Sequence, residues 1–163
     1  MQLSHQTPDI DGCSTKKTGQ QISLLARAIR YLSNREHSRE ELIRKLSPHA
    51  QSAEELEDLL KKLEEKGLQS NDRFAENLVR RRSERYGIRR VAEELRQNKI
   101  DPQKANELIV EMKISELDRA KQLWDKKFGE LVTDPKELGR QARFLASKGF
   151  DAEVVGKVIR GKI

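Results

Sequence analysis

Six arginines lie within an eleven-residue stretch of this chain, a density that points to one kind of chemistry. The stretch has Glu84 as its one acidic residue and therefore carries a net charge of +5. The planar guanidinium group makes forked hydrogen bonds to phosphate or carboxylate oxygens. We therefore predict a contact surface for a polyanion or an acidic protein face, and the alternative is a solvated helix face without a partner. The six residues are Arg80, Arg81, Arg82, Arg85, Arg89 and Arg90.

A second, weaker basic set lies towards the C-terminus. We expect Arg140 and Arg143 to form a secondary contact group there, and a role in solubility alone is the alternative. Residues 54–66 have the opposite character, with six acidic residues against three lysines and a net charge of −3, so we expect that face to avoid phosphate. The other members of the second basic set are Lys148, Lys157, Arg160 and Lys162.

Aromatic residues stand next to two of the glycines, as Tyr86-Gly87 and Phe128-Gly129. An aromatic ring beside basic residues could stack on a nucleic-acid base. We favour a turn in which the ring packs on the next helix and the glycine takes the left-handed conformation that ends a helix. Trp124 lies on an apolar stripe with Leu123 and Phe128, so we predict that it belongs to the core.

Motifs of catalysis and metal binding are missing from the sequence. It has no phosphate-binding glycine loop, no nucleophile elbow and no Cys-x-x-Cys pair, and the three histidines with Cys13 lack metal-ligand spacing. We therefore expect a binding protein that is not an enzyme and uses no cofactor or metal. A single cysteine excludes an intramolecular disulfide, and we see neither a signal peptide nor a membrane span, so we expect a cytoplasmic protein.

The elements that position these residues repeat along the chain. Leu46, Leu95 and Leu145 are separated by 49 and 50 residues, and a helix-capping signature follows each of them. Only 35% of the residues are hydrophobic and 37% are charged, which suits several thin cores better than one thick core. We predict an all-α fold of three tandem three-helix repeats that form an elongated, curved molecule.

The apolar spacing also predicts where the units begin and end. Residues 1–19 are polar and rich in turn-forming types, so we expect a disordered tail. The three-helix repeats then cover residues 20–70, 71–114 and 115–163. If residues 72–86 form one helix, Arg81, Arg85 and Arg82 share the face opposite Phe74 and Leu78, while Arg89 and Arg90 begin the next helix.

Several separated motifs occur in order over residues 22–163. They are residues 33–42, residues 72–75 with Val79-Arg80, residues 86–100, Arg143-Phe144-Leu145 and Lys148-Gly149-Phe150. Together they resemble the RecX family of regulators of the RecA recombinase. The family pattern usually has glycine where Asn98-Lys99 stands, so we expect Asn98 or Lys99 to be left-handed in this chain.

This resemblance implies a modular helical protein that binds the RecA filament, in its groove or at a growing end. It further implies restraint of recombinase, ATPase and coprotease activities in DNA repair and the SOS response. We expect a monomer whose arginines contact RecA, or single- or double-stranded DNA. Two alternatives stay open: a sequence-independent DNA-binding protein acting alone, and a helical scaffold for another acidic partner.

Overall fold

The computed structural model of the protein describes residues 22–162, and all regular structure in that range is helical. The nine helices of this range follow one another in three groups of three, which we call the first, second and third units. This arrangement confirms the predicted all-α fold of three tandem three-helix repeats. The predicted tail, residues 1–19, lies outside the described residues. The predicted divisions at residues 70 and 114 stay predictions.

The helices are short, as expected for units that each bury a narrow apolar stripe. In the first unit they are α1 (Leu24–Asn34), α2 (Arg39–Leu46) and α3 (Ala53–Glu65). In the second unit they are α4 (Asn71–Ser83), α5 (Ile88–Gln97) and α6 (Pro102–Ile114). In the third unit they are α7 (Glu116–Lys127), α8 (Pro135–Ser147) and α9 (Ala152–Ile159).

Most of these helices begin at a serine or an aspartate whose side chain caps the first turn. The Ser38 hydroxyl, for example, accepts from the Glu41 N–H at 3.0 Å, and Asp101 accepts from the Lys104 N–H at 3.1 Å. Such a bond satisfies a backbone donor that has no partner within the helix. Among the described helices, α5 and α7 have no side-chain cap, which leaves their first N–H groups in need of other acceptors.

Each unit has its own small core at the same place in the repeat. The anchor residues Leu46, Leu95 and Leu145 are all fully buried. The prediction that Trp124 is a core residue is confirmed, since it is buried and its indole N–H donates to Gln141 Oε1 at 2.8 Å. Three thin cores in series therefore hold a chain in which charged residues outnumber hydrophobic ones.

The helix predicted over residues 72–86 is wrong at its C-terminal end, because α4 ends at Ser83. To extend the helix, the Gly87 N–H would have to donate to the Ser83 carbonyl. Instead it donates to the Lys148 carbonyl at 3.0 Å, and the Ser83 carbonyl accepts from Arg119 at 2.7 Å. Contacts with the third unit therefore decide where α4 ends.

The first and second units meet through polar side chains. The buried hydroxyl of Ser38 donates to Oδ1 of Asn98 at 2.7 Å, and Lys99 Nζ lies 2.8 Å from Glu40 Oε1. Lys99 is the non-glycine residue with a positive φ, 50°, in the described range, which decides between the two predicted left-handed positions. The N-terminus of α2 thus rests against the turn that follows α5.

The second and third units meet at the equivalent place, but through the backbone. The Gly87 N–H donates to the Lys148 carbonyl and the Arg89 N–H to the Gly149 carbonyl, both at 3.0 Å. A Cβ atom on Gly87 would overlap backbone atoms of Phe150 and the Gly149 carbonyl. The N-terminus of α5 therefore rests directly on the turn that follows α8, with no side chain between them.

This contact corrects one prediction about the aromatic-glycine pairs. Gly129 has φ 72° and is left-handed as predicted, whereas Gly87 has φ −79° and stands at the N-cap of α5. Glycine is required at residue 87 because another backbone lies against it.

Candidate functional site

Three of the predicted arginines line one polar cleft between the first and second units. Arg81, Arg82 and Arg85 lie around it with Tyr86, and its volume is about 430 Å³. Arg35, from the first unit, lines the opposite side and makes a forked ion pair with Glu41 at 2.8 and 3.0 Å. The structure therefore brings together the arginines that the sequence placed on one helix face, although α4 ends before Arg85.

Ion pairing divides the arginines of this cleft into two kinds. Arg82 lies 2.9 Å from Glu94, and this hydrogen bond raises the pKa of Arg82 above its ordinary value. Arg81 and Arg85 are exposed and have no ion pair within residues 22–162. Their charges are therefore the ones in the cleft that a partner can reach without breaking an internal pair.

Tyr86 lies beside the cleft, and three cations surround its half-buried ring. The charged group of Arg90 lies 4.5 Å from the ring centre, that of Arg82 lies 5.4 Å away and that of Lys148 5.6 Å away. Each distance is within the range of a cation–π attraction. The ring thus holds two arginines of the second unit beside a lysine of the third.

The same pattern continues across the third unit. Lys148 also lies 5.7 Å from the ring centre of Phe144, and Lys127 lies 4.2 Å from that ring. Phe144 meets Phe128 edge to face at 5.5 Å, and Arg140 lies 5.6 Å from the Phe128 ring. We call this continuous surface the basic–aromatic strip. Its members are Arg82, Tyr86, Arg90, Lys148, Phe144, Lys127, Phe128 and Arg140.

The remaining predicted residues lie outside the strip. Arg80 is exposed and donates to Asn77 on its own helix. The exposed side chain of Arg89 lies in the first turn of α5, and that of Arg143 lies beside Gly139 on α8. Arg140 makes an ion pair of 2.9 Å with Glu137, one turn away. Of the eight predicted contact arginines, the structure places Arg82, Arg90 and Arg140 in the strip and Arg81 and Arg85 beside it, in the cleft.

The third unit fixes the part of the strip that the second unit contributes. Glu116, which is buried, accepts from the Ile88 N–H at 3.0 Å and so replaces the missing cap of α5. Arg119 donates to the Ser83 carbonyl at 2.7 Å and the Tyr86 carbonyl at 3.0 Å. Burial lowers the pKa of Arg119 from its ordinary value, which the nearby charge of Glu116 opposes.

The position of Arg89 and Arg90 is unfavourable for helix stability. Both lie in the first turn of α5, which contains no acidic residue. The N-terminal end of a helix carries a partial positive charge, so basic residues there cost a few tenths of a kcal/mol each, about 0.3–1. By contrast, the first turn of α2 carries Glu40 and Glu41. The two arginines therefore do not gain stability from the dipole of their own helix.

The sequence prediction missed Phe144 and Lys127, which belong to the basic–aromatic strip, and Arg35, which lines the cleft. It gave Lys148 only a general basic role. One available signal is the repeat itself. Arg90 and Arg140 both fall five residues before an anchor leucine, and each lies over the aromatic residue that follows the preceding helix. Aligning the units on their aromatic-glycine pairs would have indicated the strip.

The described residues contain neither a metal site nor a membrane-spanning helix. Within residues 22–162, no three His, Cys, Asp or Glu side chains come together where they could hold a metal ion. None of the helices in this range is long and apolar enough to cross a membrane.

Two family models match the chain in consecutive segments. The model of the second three-helix domain of RecX matches residues 70–109, and that of the third three-helix domain of RecX matches residues 115–159. A protein named regulatory protein RecX from Ralstonia nicotianae is 45% identical over 87% of this chain and 89% of its own length. Its namesake from Ralstonia pickettii is 46% identical over the same shares.

Solved structures share the fold. A structure titled crystal structure of regulatory protein RecX superposes with a TM-score of 0.69 at 24% identity, covering 85% of this chain and 72% of the other. The crystal structure of RecX from Lactobacillus salivarius superposes with a TM-score of 0.67 at 18% identity, covering 85% of this chain and 93% of the other.

Proposed function

The chain belongs to the RecX family of regulatory proteins, and we propose that it binds the RecA recombinase filament and restrains it. RecA is the partner that the family resemblance implies. The restraint would act on recombinase, ATPase and coprotease activities during DNA repair and the SOS response. Binding alone accounts for such an effect, so the proposal requires no catalytic residue, cofactor or metal.

The observation that carries this proposal is the basic–aromatic strip. It runs from Arg82 in the second unit to Arg140 in the third, and Lys148 links the two parts. Its cations lie over aromatic rings that are themselves half-buried, so their side chains are held in place before a partner arrives. Preorganised charges lose little conformational entropy on binding and steer an oppositely charged partner into register. The cations of the basic–aromatic strip are therefore arranged to bind a long, regular, acidic surface.

The activity of the RecA filament provides the first test. We expect this protein, added to RecA on single-stranded DNA, to lower the rate of ATP hydrolysis at substoichiometric ratios. A partner that acts on a filament affects many subunits per bound molecule, which is why less than one molecule per RecA should suffice. An unchanged rate over a wide concentration range would disprove the proposal.

The contribution of the cleft arginines can be tested by reversing their charge. We expect Arg81→Glu combined with Arg85→Glu to weaken inhibition of the filament at least about tenfold, because two accessible contacts become repulsive. Thermal melting should change little, since exposed substitutions usually shift stability by less than about 0.5 kcal/mol. If the double variant fails to fold, these arginines stabilise the structure and the loss of inhibition says nothing about binding.

A matched control reverses two basic residues outside the site. Arg30 and Lys61 lie on exposed faces of the first unit and have no ion pair within residues 22–162. Arg30→Glu combined with Lys61→Glu makes the same change in net charge. If the control loses as much inhibition as the Arg81 and Arg85 variant, overall charge rather than the cleft is responsible.

The second candidate function is sequence-independent DNA binding, which the same row of cations also favours. A protein that neutralises phosphates releases counterions, so its affinity for DNA falls with salt by a slope of about 0.9 per phosphate on a log-log plot. We propose that the affinity for DNA alone is weak. Tight binding with a steep slope, together with no effect on RecA, would favour this second function.

We also propose that the protein acts in the cytoplasm as a monomer. The chain has a single cysteine, so it is not built around an intramolecular disulfide, and a reducing compartment suits it. Light scattering at micromolar concentration, with and without RecA, measures the oligomeric state directly.

A further inference from the structure

An apolar groove lies between α1 and α3 in the first unit, away from the basic–aromatic strip. Its volume is about 510 Å³, and Leu59 and Leu63 form its floor. Leu25, Ile29 and Leu68 line its walls, with 51%, 40% and 43% of their surfaces exposed. Three large aliphatic side chains exposed along one groove form a contiguous apolar patch, and such patches often mark interaction sites.

The repeat shows that the fold itself does not require apolar residues there. Ala28 and Ala75 are buried at equivalent positions of α1 and α4, and counting from them pairs Leu25 with Asp72 and Ile29 with Glu76. At the equivalent place in the second unit, Glu76 and Lys104 form an ion pair of 2.6 Å between α4 and α6. The first unit therefore has an open apolar groove where its neighbour has a charged bridge.

The charges at the edge of the groove change sign along α3. Glu55 and Asp58 lie at the edge in its N-terminal half, whereas Lys62 and Lys66 lie there towards its C-terminal end. Helices tend to carry acidic residues in their first turn and basic residues in their last. A helix that runs antiparallel to α3 would place its acidic end beside the lysines and its basic end beside the acids.

We propose that this groove docks an amphipathic helix of a partner protein, antiparallel to α3. The helix would insert an apolar face with i, i+4, i+7 spacing between Leu25 and Ile29 on one side and Leu68 on the other. The edge charges select its direction. This inference is independent of the function proposed for the basic–aromatic strip.

A labelled synthetic peptide provides the probe. Because Glu55 to Lys66 spans twelve residues, a helix of about 14 residues is long enough to fill the groove. The peptide carries leucines on one face, glutamates in its first turns and lysines in its last. We expect fluorescence anisotropy to give a dissociation constant of about 1–100 μM for the full chain. A peptide with the glutamates and lysines exchanged should bind at least about fivefold more weakly, because each end then meets like charges.

Two variants locate the binding. Leu25→Asp combined with Ile29→Asp should lower the affinity for the peptide at least about tenfold, since both positions lose their apolar contact with it. Val110→Asp combined with Ile114→Asp is the matched control, because both residues are exposed on α6 and lie four positions apart, as Leu25 and Ile29 do. Equal effects of the variant and the control, or no binding of either peptide to the native chain, would overturn the proposal.

Two other occupants of the groove, the chain's own N-terminal residues and a second copy of the chain, can each be detected by a separate experiment. Cys13 is the natural cysteine of the chain, so Ile29→Cys introduces a second thiol in the groove wall. Under mild oxidation, an intramolecular disulfide that forms much faster than in Arg30→Cys, whose exposed side chain does not line the groove, would mean that the chain's own N-terminal residues fill the groove. A dimer that forms in the native chain and is lost on Leu25→Asp would mean that a second copy fills it. Either result would overturn the proposal, and a monomer without such a disulfide supports it.

Discussion

Gly87 shows how one residue can tie two units together. Its lack of a side chain lets the backbone of the turn Lys148-Gly149-Phe150 lie directly against the start of α5. Gly149 contributes to the same approach, since a Cβ atom there would lie 2.6 Å from the Cβ of Arg90. The placement of Arg90 over Tyr86 depends on this close contact.

We expect Gly87→Ala to lower the free energy of unfolding by at least about 2 kcal/mol, because backbone on both sides prevents relaxation. Gly156 is the control, since a Cβ atom there meets nothing within 4 Å and the residue lies inside α9. Gly156→Ala should stabilise the protein by about 0.5–1 kcal/mol. Denaturant unfolding of both variants measures the difference, and equal effects would contradict this account of Gly87.

His37 should make stability depend on pH. It is buried, and its Nδ1 donates to the Arg35 carbonyl at 3.0 Å. Burial lowers the pKa of His37 below its ordinary value of 6.5. The hydrogen bond to the Arg35 carbonyl opposes this shift, and the charges of Arg35, Glu41 and Lys45 are smaller influences of both signs. The unfolded chain therefore binds the proton more readily than the folded chain, and the free energy of unfolding should fall as the pH drops below about 6.5.

The measurement is chemical unfolding between pH 7.5 and pH 5, compared with His37→Gln. Depressed carboxylate pKa values do not interfere, because their effect begins at lower pH; Glu93, paired with Arg96, has a pKa of about 2. The native chain should lose stability across this window and the variant should lose less. Parallel curves would show that His37 is not the titrating group.

At the scale of the helix, α5 depends on acceptors that belong to another unit. We expect Glu116→Ala to destabilise the protein by about 1–3 kcal/mol, because the buried Ile88 N–H loses its acceptor. Glu130→Ala is the matched control on an exposed residue of the same unit and should stay within about 0.5 kcal/mol. Thermal unfolding separates the two outcomes, and similar melting temperatures would contradict the capping role.

The helices themselves could be predicted from the sequence because their signals are local. Apolar residues recur at helical spacing around Leu46, Leu95 and Leu145, and capping residues such as Ser38 and Asp101 mark the starts. The end of α4 could not be predicted, since it depends on Arg119, which lies 36 residues after Ser83. Local pattern contains no information about such a partner.

The candidate site could likewise be predicted only as far as local sequence patterns allow. The sequence identified the arginines by their density, but the strip arises from contacts between separate helices. Lys127 reaches Phe144 from α7, and Lys148 follows α8 and reaches back to Tyr86. Their roles in binding stay predictions until the charge-reversal experiments are done.

At the scale of the molecule, the contacts between the first and second units differ in kind from those between the second and third units. The first junction joins units through side chains, with Ser38 bonded to Asn98 and Glu40 paired with Lys99. The second junction joins them through backbone hydrogen bonds at Gly87 and Arg89. In repeat proteins each unit contacts only its neighbours, so the strength of each junction sets which units open together. We expect the second and third units to behave as one body.

Asn98→Ala should therefore free the first unit alone. We expect faster amide hydrogen exchange in residues 24–65, while residues 71–159 keep most of their protection. Mass spectrometry of peptic fragments gives this pattern directly. An equal loss of protection in all three units would show that the chain opens as a whole.

The capping of α5 by Glu116 and Gly149 also bears on how the protein is made. During synthesis, α5 leaves the ribosome before either acceptor has emerged. Its first N–H groups must then be satisfied by water, and the helix is expected to fray until more than fifty further residues follow Arg89. The second unit is thus completed by the unit made after it. Arg89 and Arg90 are presented in their final positions only when translation has passed Gly149.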